Sequence, residues 1–295
     1  MAAGWQGQSE RGSPWALRLI LWIALHIGRG AARVLLYPIT FYFLLNGRTA
    51  RNASRDYLTR IFGRAPTLAE RIRHIHCFAA TILDRVYFLS GQFDRFDVRL
   101  HGVEVIQARA GTGALLLSAH VGSFDALRAL GVEQRGLPIK VLMFPDHNGF
   151  ITALLHTLNP ALLETIIPLG GIDTLLRVQE AVTQGEMVGM LGDRVAAGGK
   201  TVSCDFLGAP APFPVGPAQL AAVLRVPVIL VFGLYRGGNR YDLYFETFDA
   251  VLPQGRRERE AALGQWTQAY AARLEHHVRI APYNWFNFYD FWPQD

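Results

Sequence analysis

Within GALLLSAHVGSFD, residues 113–125, an apolar run ends on His120, and Asp125 follows after four intervening residues. An imidazole fixed in one tautomer by a carboxylate is a competent general base for a hydroxyl group, because an ordinary pKa of about 6.5 leaves it largely neutral at neutral pH. Asp125, in or near the first turn of a helix that starts after Ser123, can fold back and accept a hydrogen bond from Nδ1 of His120. A plainer reading uses the same residues, with Asp125 as a favourable first-turn acid and His120 as a satisfied interior histidine. Spacing alone leaves both readings open.

For His120 to act, the run before it must be a strand that delivers it to the edge of a sheet. Beyond residue 98 the chain alternates short apolar runs with helical segments: LLLSA at 115–119, IKVLMF at 139–144, TIIPL at 165–169, MVGML at 187–191 and VPVILVFGLY at 226–235. That alternation predicts an α/β fold with a central, mostly parallel sheet flanked by helices. A further strand is expected over 241–248 and a long closing helix over 256–280. Upstream, apolar residues at helical spacing predict amphipathic helices over 49–63 and 67–91. In such sheets ligands collect at the carboxyl edge, where a helix start offers free N–H groups to a developing oxyanion.

Composition points toward lipid. Hydrophobic residues make up 51% of the 295-residue chain and charged residues only 18%, too apolar for disorder and more apolar than an ordinary cytosolic domain. The net charge of +5 is unevenly spread, since residues 1–73 hold eleven arginines against Glu10, Asp56 and Glu70. Residues 15–45 contain two apolar runs about a basic hinge at 26–33, each shorter than the roughly 20 residues of a spanning helix. Two shallow interfacial helices are therefore expected, with one tilted span as the alternative. Anionic headgroups are the expected partner of this region and nucleic acid is not, because no zinc-finger or RNP-type motif accompanies the basic residues. Residues 1–46 are read as a membrane-associating segment and 47–295 as the α/β domain.

Other signals are ambiguous or fail. Gly170 and Gly171, ahead of a helix carrying Arg177, either bring backbone close to a phosphate or headgroup or simply make a turn. Prolines 210, 212, 214 and 217 predict a stiff extended loop leading into a helix, and Phe206, Phe213 and Val215 there either line an acyl groove or pack in the core. GGKT at 198–201 is not a phosphate loop, since the first glycine of that pattern would fall at Arg194. No G-x-S-x-G elbow surrounds Ser118 or Ser123, which disfavours a serine hydrolase. Cys77 and Cys204 are the only cysteines, so disulfides and thiolate metal sites are not expected. No metal and no tightly bound cofactor are expected. The aromatic tail at 282–292 either anchors at a lipid interface or covers the core, core cover being preferred.

Taken in order, the basic apolar N-terminus, HVGSFD, GGIDTLLRVQEAVTQGEMVGMLGDR, CDFLGAPAPFPVGPAQLAAVLRVPVILVFGLYR and the tail WFNFYDFW resemble the lipid A biosynthesis acyltransferase family, within the glycerolipid and lysophospholipid acyltransferase superfamily. The resemblance implies transfer of a fatty acyl group from a thioester donor, acyl carrier protein or coenzyme A, to a lipid hydroxyl at the cytoplasmic face of a bacterial inner membrane. Its His-x4-Asp dyad maps onto His120 as base and Asp125 as orienting carboxylate, with no acyl-enzyme. Its Asp-Arg block maps onto Asp193 and Arg194, where Arg194 would hold a phosphate or stabilise the oxyanion and Asp193 would position Arg194 or the acceptor. A surface ion pair is the plain alternative for that block. Two other classes stay in view: a lipid hydrolase using the same dyad on water, and a noncatalytic lipid-binding protein.

Overall fold

Five consecutive buried positions make β2 (Ala114–Ser118) a strand covered on both faces, which is the environment of a parallel sheet between helix layers. The computed structural model describes residues 14–129, 139–144, 157–196, 198–249 and 259–292. The other strands of the main sheet are β1 (Asp97–His101), β3 (Ile139–Met143), β4 (Ile166–Pro168), β5 (Met187–Leu191), β8 (Val228–Gly237) and β9 (Arg240–Phe248), in the order β1-β9-β8-β2-β5-β3-β4. Strands β8, β2, β5, β3 and β4 run parallel, while β9 returns antiparallel to β8 and β1 runs parallel to β9. The fold is mixed α/β with a mostly parallel central sheet, and β2 lies at its middle.

One face of the sheet is covered by the N-terminal helices α1 (Pro14–His26), α2 (Arg29–Asn46), α3 (Arg48–Phe62) and α4 (Leu68–Leu89). Helix α4 begins with a capping box in which Thr67 and Glu70 satisfy each other's backbone N–H groups, a device that contributes about 1 kcal/mol. Its inner side buries Leu83, Val86, Tyr87 and Phe88 against sheet residues including Tyr241 and Leu243. Helices α1 and α2 meet at Gly28, whose φ of 115° suits glycine, so the basic hinge expected over 26–33 is a tight turn and α2 already starts at Arg29. That arginine holds the buried carboxylate of Asp84 on α4 through two hydrogen bonds of 2.8 Å. Tyr241 Oη donates to the same carboxylate at 2.9 Å. Among the described residues no helix is long and apolar enough to cross a membrane. Trp22, Val34, Tyr37 and Phe41 are nonetheless exposed on this pair. Of the segment read as membrane-associating, residues 1–13 lie outside the described residues.

The other face carries a two-stranded hairpin, β6 (Thr201–Phe206) and β7 (Ala209–Pro214), with α8 (Gly216–Leu224) and the long α9 (Arg259–Ile280). The proline-rich stretch expected to be a loop is strand β7. Pro210, Pro212 and Pro214 alternate along it, so their missing N–H groups fall on one edge, the only place a strand tolerates them, and that edge is closed to further pairing. Phe206 and Phe213 point into the core with Tyr270, Trp285 and Phe291. The aromatic tail covers the core as preferred from sequence: Trp285, Phe291 and Trp292 are buried on this face and Phe286 on the face of the N-terminal helices. Helices α5 (Val103–Gln107), α6 (Phe124–Ala129) and α7 (Thr174–Thr183) and two short 3-10 turns, Phe93–Arg95 and Pro160–Thr165, lie among the remaining described elements.

Candidate active site

Register alone brings the two most informative residues together. Strands β2 and β5 are parallel neighbours with Ser118 opposite Leu191, so His120 and Asp193, each two residues farther on, emerge side by side at the carboxyl edge. The backbone N–H of Gly192 extends the ladder onto Ser118 O at 2.8 Å. A side chain at Gly192 would meet Leu117 at 2.7 Å and Tyr270 and Pro217 at 3.3 Å, so glycine lets β5 approach without displacing the Leu117 methyl. Tyr270 Oη donates to Ser118 O at 2.8 Å and anchors the strand end to α9.

Nδ1 of His120 lies 2.7 Å from Oδ1 of Asp193. Because a carboxylate only accepts, the shared proton sits on Nδ1 and Nε2 keeps a free lone pair. The backbone N–H of His120 also donates to both carboxylate oxygens at 3.1 Å. Oδ2 receives Trp285 Nε1 at 3.0 Å and Asn287 Nδ2 at 3.1 Å. Asp193 is fully buried, and burial alone would raise its pKa, but the charge and hydrogen bonds of His120, with Arg194 beyond, hold it down to about 2. Burial lowers the pKa of His120, and the Arg194 charge pushes the same way against the opposing pull of Asp193. The imidazole is thus neutral at neutral pH, and its side chain keeps 26% exposure.

Arg194 is tied down as well. Its Nε donates to Asn287 Oδ1 at 2.8 Å and an NH2 hydrogen goes to Phe286 O at 3.0 Å. Asn287 therefore uses both ends of its amide, giving a hydrogen to Asp193 and accepting one from Arg194, a pair of duties that few side chains can combine. Burial depresses the pKa of Arg194, with Asp193 opposing, and it stays a cation.

Asp125 sits elsewhere than its spacing suggests. Its carboxylate pairs with Arg85 Nε of α4 at 2.5 Å, and the Nδ1 partner of His120 is Asp193 in its place. The cause lies in the connection between them. Val121 bridges Trp285, the N–H of Gly122 donates to Asn284 O at 2.8 Å, and that of Ser123 to Gly233 O at 2.8 Å. Gly122 has a φ of 58°, and a Cβ there would lie 1.9 Å from Gly233 O. This stitching carries α6 onto α4, and Asp125 with it. The N–H groups of Val121, Gly122 and Ser123, which precede the helix, are all engaged, and that of Ala126 in its first turn donates to Ser123 Oγ at 3.3 Å.

Gly170, Gly171 and Arg177 follow β4, which two strands separate from β2, a displacement of about 14 Å at the usual strand spacing. They share the carboxyl edge but do not join His120. Gly170 makes a left-handed turn at φ 93°, and Arg177 is half-exposed, 4.0 Å from Asp173. Phe206 and Phe213 have no exposed surface and Val215 only 8%, in keeping with the core-packing alternative of the two read from sequence. Trp285, Asn287 and Arg85 were not among the sequence candidates. Two asparagines inside the buried run NWFNF were the available signal, because a polar side chain among packed rings requires a partner. Among the described residues no cluster of His, Cys, Asp or Glu is placed to hold a metal.

The sequence model for bacterial lipid A biosynthesis acyltransferases matches residues 10–293. The chain belongs to this family. It is therefore an acyltransferase of lipid biosynthesis, and the ordered blocks read from sequence resemble that family because they are its own. No curated protein sequence matches. Among solved structures, "Crystal Structure of the 1-acyl-sn-glycerophosphate (LPA) acyltransferase, PlsC, from Thermotoga maritima" is similar at 17% identity, covering 83% of this chain and 97% of that one with a TM-score of 0.38. The family assignment rests on the sequence match.

Proposed function

We propose that this acyltransferase moves a fatty acyl group from a thioester, carried by acyl carrier protein or coenzyme A, to a lipid hydroxyl, with Nε2 of His120 as general base. The hydroxyl proton passes to Nε2 as its oxygen bonds to the thioester carbonyl carbon. The tetrahedral intermediate collapses by breaking the carbon–sulfur bond, and the departing thiolate takes the proton back from the imidazolium. Asp193, rather than Asp125, fixes the tautomer and balances the imidazolium charge. The observation that carries this reading is the 2.7 Å bond from Nδ1 to a buried carboxylate, an arrangement that aims the free lone pair of Nε2 outward. Arg194 supplies the nearby positive charge for the oxyanion, and Arg85 adds to it in so far as Asp125 leaves its charge unopposed. Exposed Trp22, Val34, Tyr37 and Phe41 on α1 and α2, with the arginines around them, suit an interfacial membrane contact at the cytoplasmic face of a bacterial inner membrane.

His120→Ala tests the reading directly. The folded variant is expected to lose acyl transfer by about 10²-fold or more, measured by mass spectrometry of lipid products from a thioester donor. Transfer at the normal rate would rule out His120 as base. Free fatty acid in place of acylated lipid from the wild-type chain would make the enzyme a hydrolase, and lipid retention without turnover would make it a binding protein.

A further inference from the structure

We propose that the outer face of the β1–β9–β8 edge holds a phosphate-bearing anion, in a cavity of about 290 Å³ lined by Arg99, Arg236, Arg240 and Asp242. Strands β1 and β9 turn Val98, Leu100, Tyr241 and Leu243 toward the core. By the period of two, Asp97, Arg99, Arg240 and Asp242 take the opposite face. Register sets Arg99 opposite Asp242 and Arg240 opposite Asp97. Simple cross-strand pairing would neutralise both arginines.

Arg236 breaks that pairing. Its Nε takes Asp242 Oδ2 at 2.7 Å, while NH1 caps Ile280 O at 3.0 Å and NH2 reaches Tyr244 Oη at 3.1 Å. Asp242 is thereby committed to Arg236, with His101 at 3.9 Å. Arg99 is left with a 3.9 Å approach to Asp97 and is largely exposed. The guanidinium of Arg240, whose backbone is paired with Asp97 and Gly237, has no hydrogen bond or ion pair among the described residues. Two guanidiniums, one in a long contact with Asp97 and one without a side-chain partner among the described residues, thus stand diagonally across adjacent strands, backed by a third held rigid, and the lining carries a net charge of +2. Paired guanidinium forks match the oxygens of a phosphate monoester or diester better than any neutral ligand.

The cavity opens at the sheet edge shared with His120, beside the Gly237-Gly238 turn. The N-terminal helix pair grips that turn from the other face, through Arg33 NH1 on Gly238 O at 2.9 Å. A lipid headgroup phosphate or a soluble phosphate ester supplies the same chemistry, and the experiment separates the two.

The full chain would be sedimented with phosphatidylcholine vesicles with and without phosphatidylglycerol, comparing wild type with the double variant Arg99→Gln, Arg240→Gln. A second double variant, Arg109→Gln, Arg225→Gln, removes the same charge from exposed positions preceding β2 and β8, at the opposite edge of the sheet. Stabilisation by inorganic phosphate is read in parallel from the thermal midpoint of all three proteins. Loss of most of the phosphatidylglycerol-dependent affinity in the first variant, roughly 30-fold for two basic groups, with the second close to wild type, assigns a lipid phosphate. Equal vesicle binding but phosphate stabilisation missing only from the first variant assigns a soluble phosphate. Equal losses in both variants, or no difference in either readout, overturn the site.

Discussion

Two aspartates compete for the description of His120, and they differ in almost every physical respect. Asp125 is close in sequence, keeps 12% side-chain exposure and answers one guanidinium. Asp193 is 73 residues away, has no exposed surface and collects hydrogens from the backbone and ring of His120, from an indole and from an amide. On the reading proposed for His120, a carboxylate so saturated stays ionised and stationary, as the holder of a base must, whereas one paired with a single guanidinium tunes the field from a distance. Proximity along the chain and proximity in the sheet are separate quantities, and the parallel register of β2 with β5 decides which prevails.

The sharpest way to break this contrast is to remove each charge in turn. Asp193→Asn should cut kcat by about 10²- to 10⁴-fold, with substrate affinity little changed, because the tautomer and the imidazolium both lose their support. A larger loss from Asp125→Asn than from Asp193→Asn would reverse the roles assigned here. Asn287→Leu comes next. It strips Asp193 of one donor and Arg194 of one acceptor, so denaturant unfolding should show a loss of about 1–3 kcal/mol, accompanied by roughly a tenfold fall in kcat. Unchanged stability and turnover would mean that the amide bridge holds nothing.

Asp125→Asn is expected to have the smallest effect, less than about tenfold on turnover, and it sharpens the comparison through pH. With His120 as the proposed base, which must be neutral, activity should rise with pH through the pKa of His120, which lies below its ordinary 6.5. Arg85 already contributes to that lowering. Neutralising its partner leaves its positive charge unopposed, so the acid limb of kcat/KM should move to lower pH. A shift to higher pH, or none, would show that the Arg85–Asp125 pair does not act on His120.

Strands β2 and β5 were legible because strands buried on both faces read as continuous apolar runs. Strand β1 was not, since its residues alternate between exposed and half-buried and carry no apolar run. Strand β7 was masked by its prolines, whose spacing of two puts every missing donor on an unpaired edge. At the site, His120 was legible from its place at the end of an apolar run. Asp193 was named through the family's Asp-Arg block but not as the partner of His120, because local spacing records helix turns and carries no trace of which strands become neighbours. Trp285 and Asn287 were hidden for the opposite reason: among so many rings they looked like packing, and they are packing, with their polar atoms turned to the one buried carboxylate that needs them.

The segment bearing Trp285 and Asn287 also sets a clock. At a synthesis rate of about 5 to 20 residues per second, roughly ten to thirty seconds separate the appearance of His120 from that of the residues that lock its carboxylate in place. Through that interval the nascent chain has its histidine and its strands but lacks the indole and the amide. A polypeptide that stalls or is cut before residue 287 should therefore be a silent one, so that the far end of the chain acts as a checkpoint on chemistry begun near its middle.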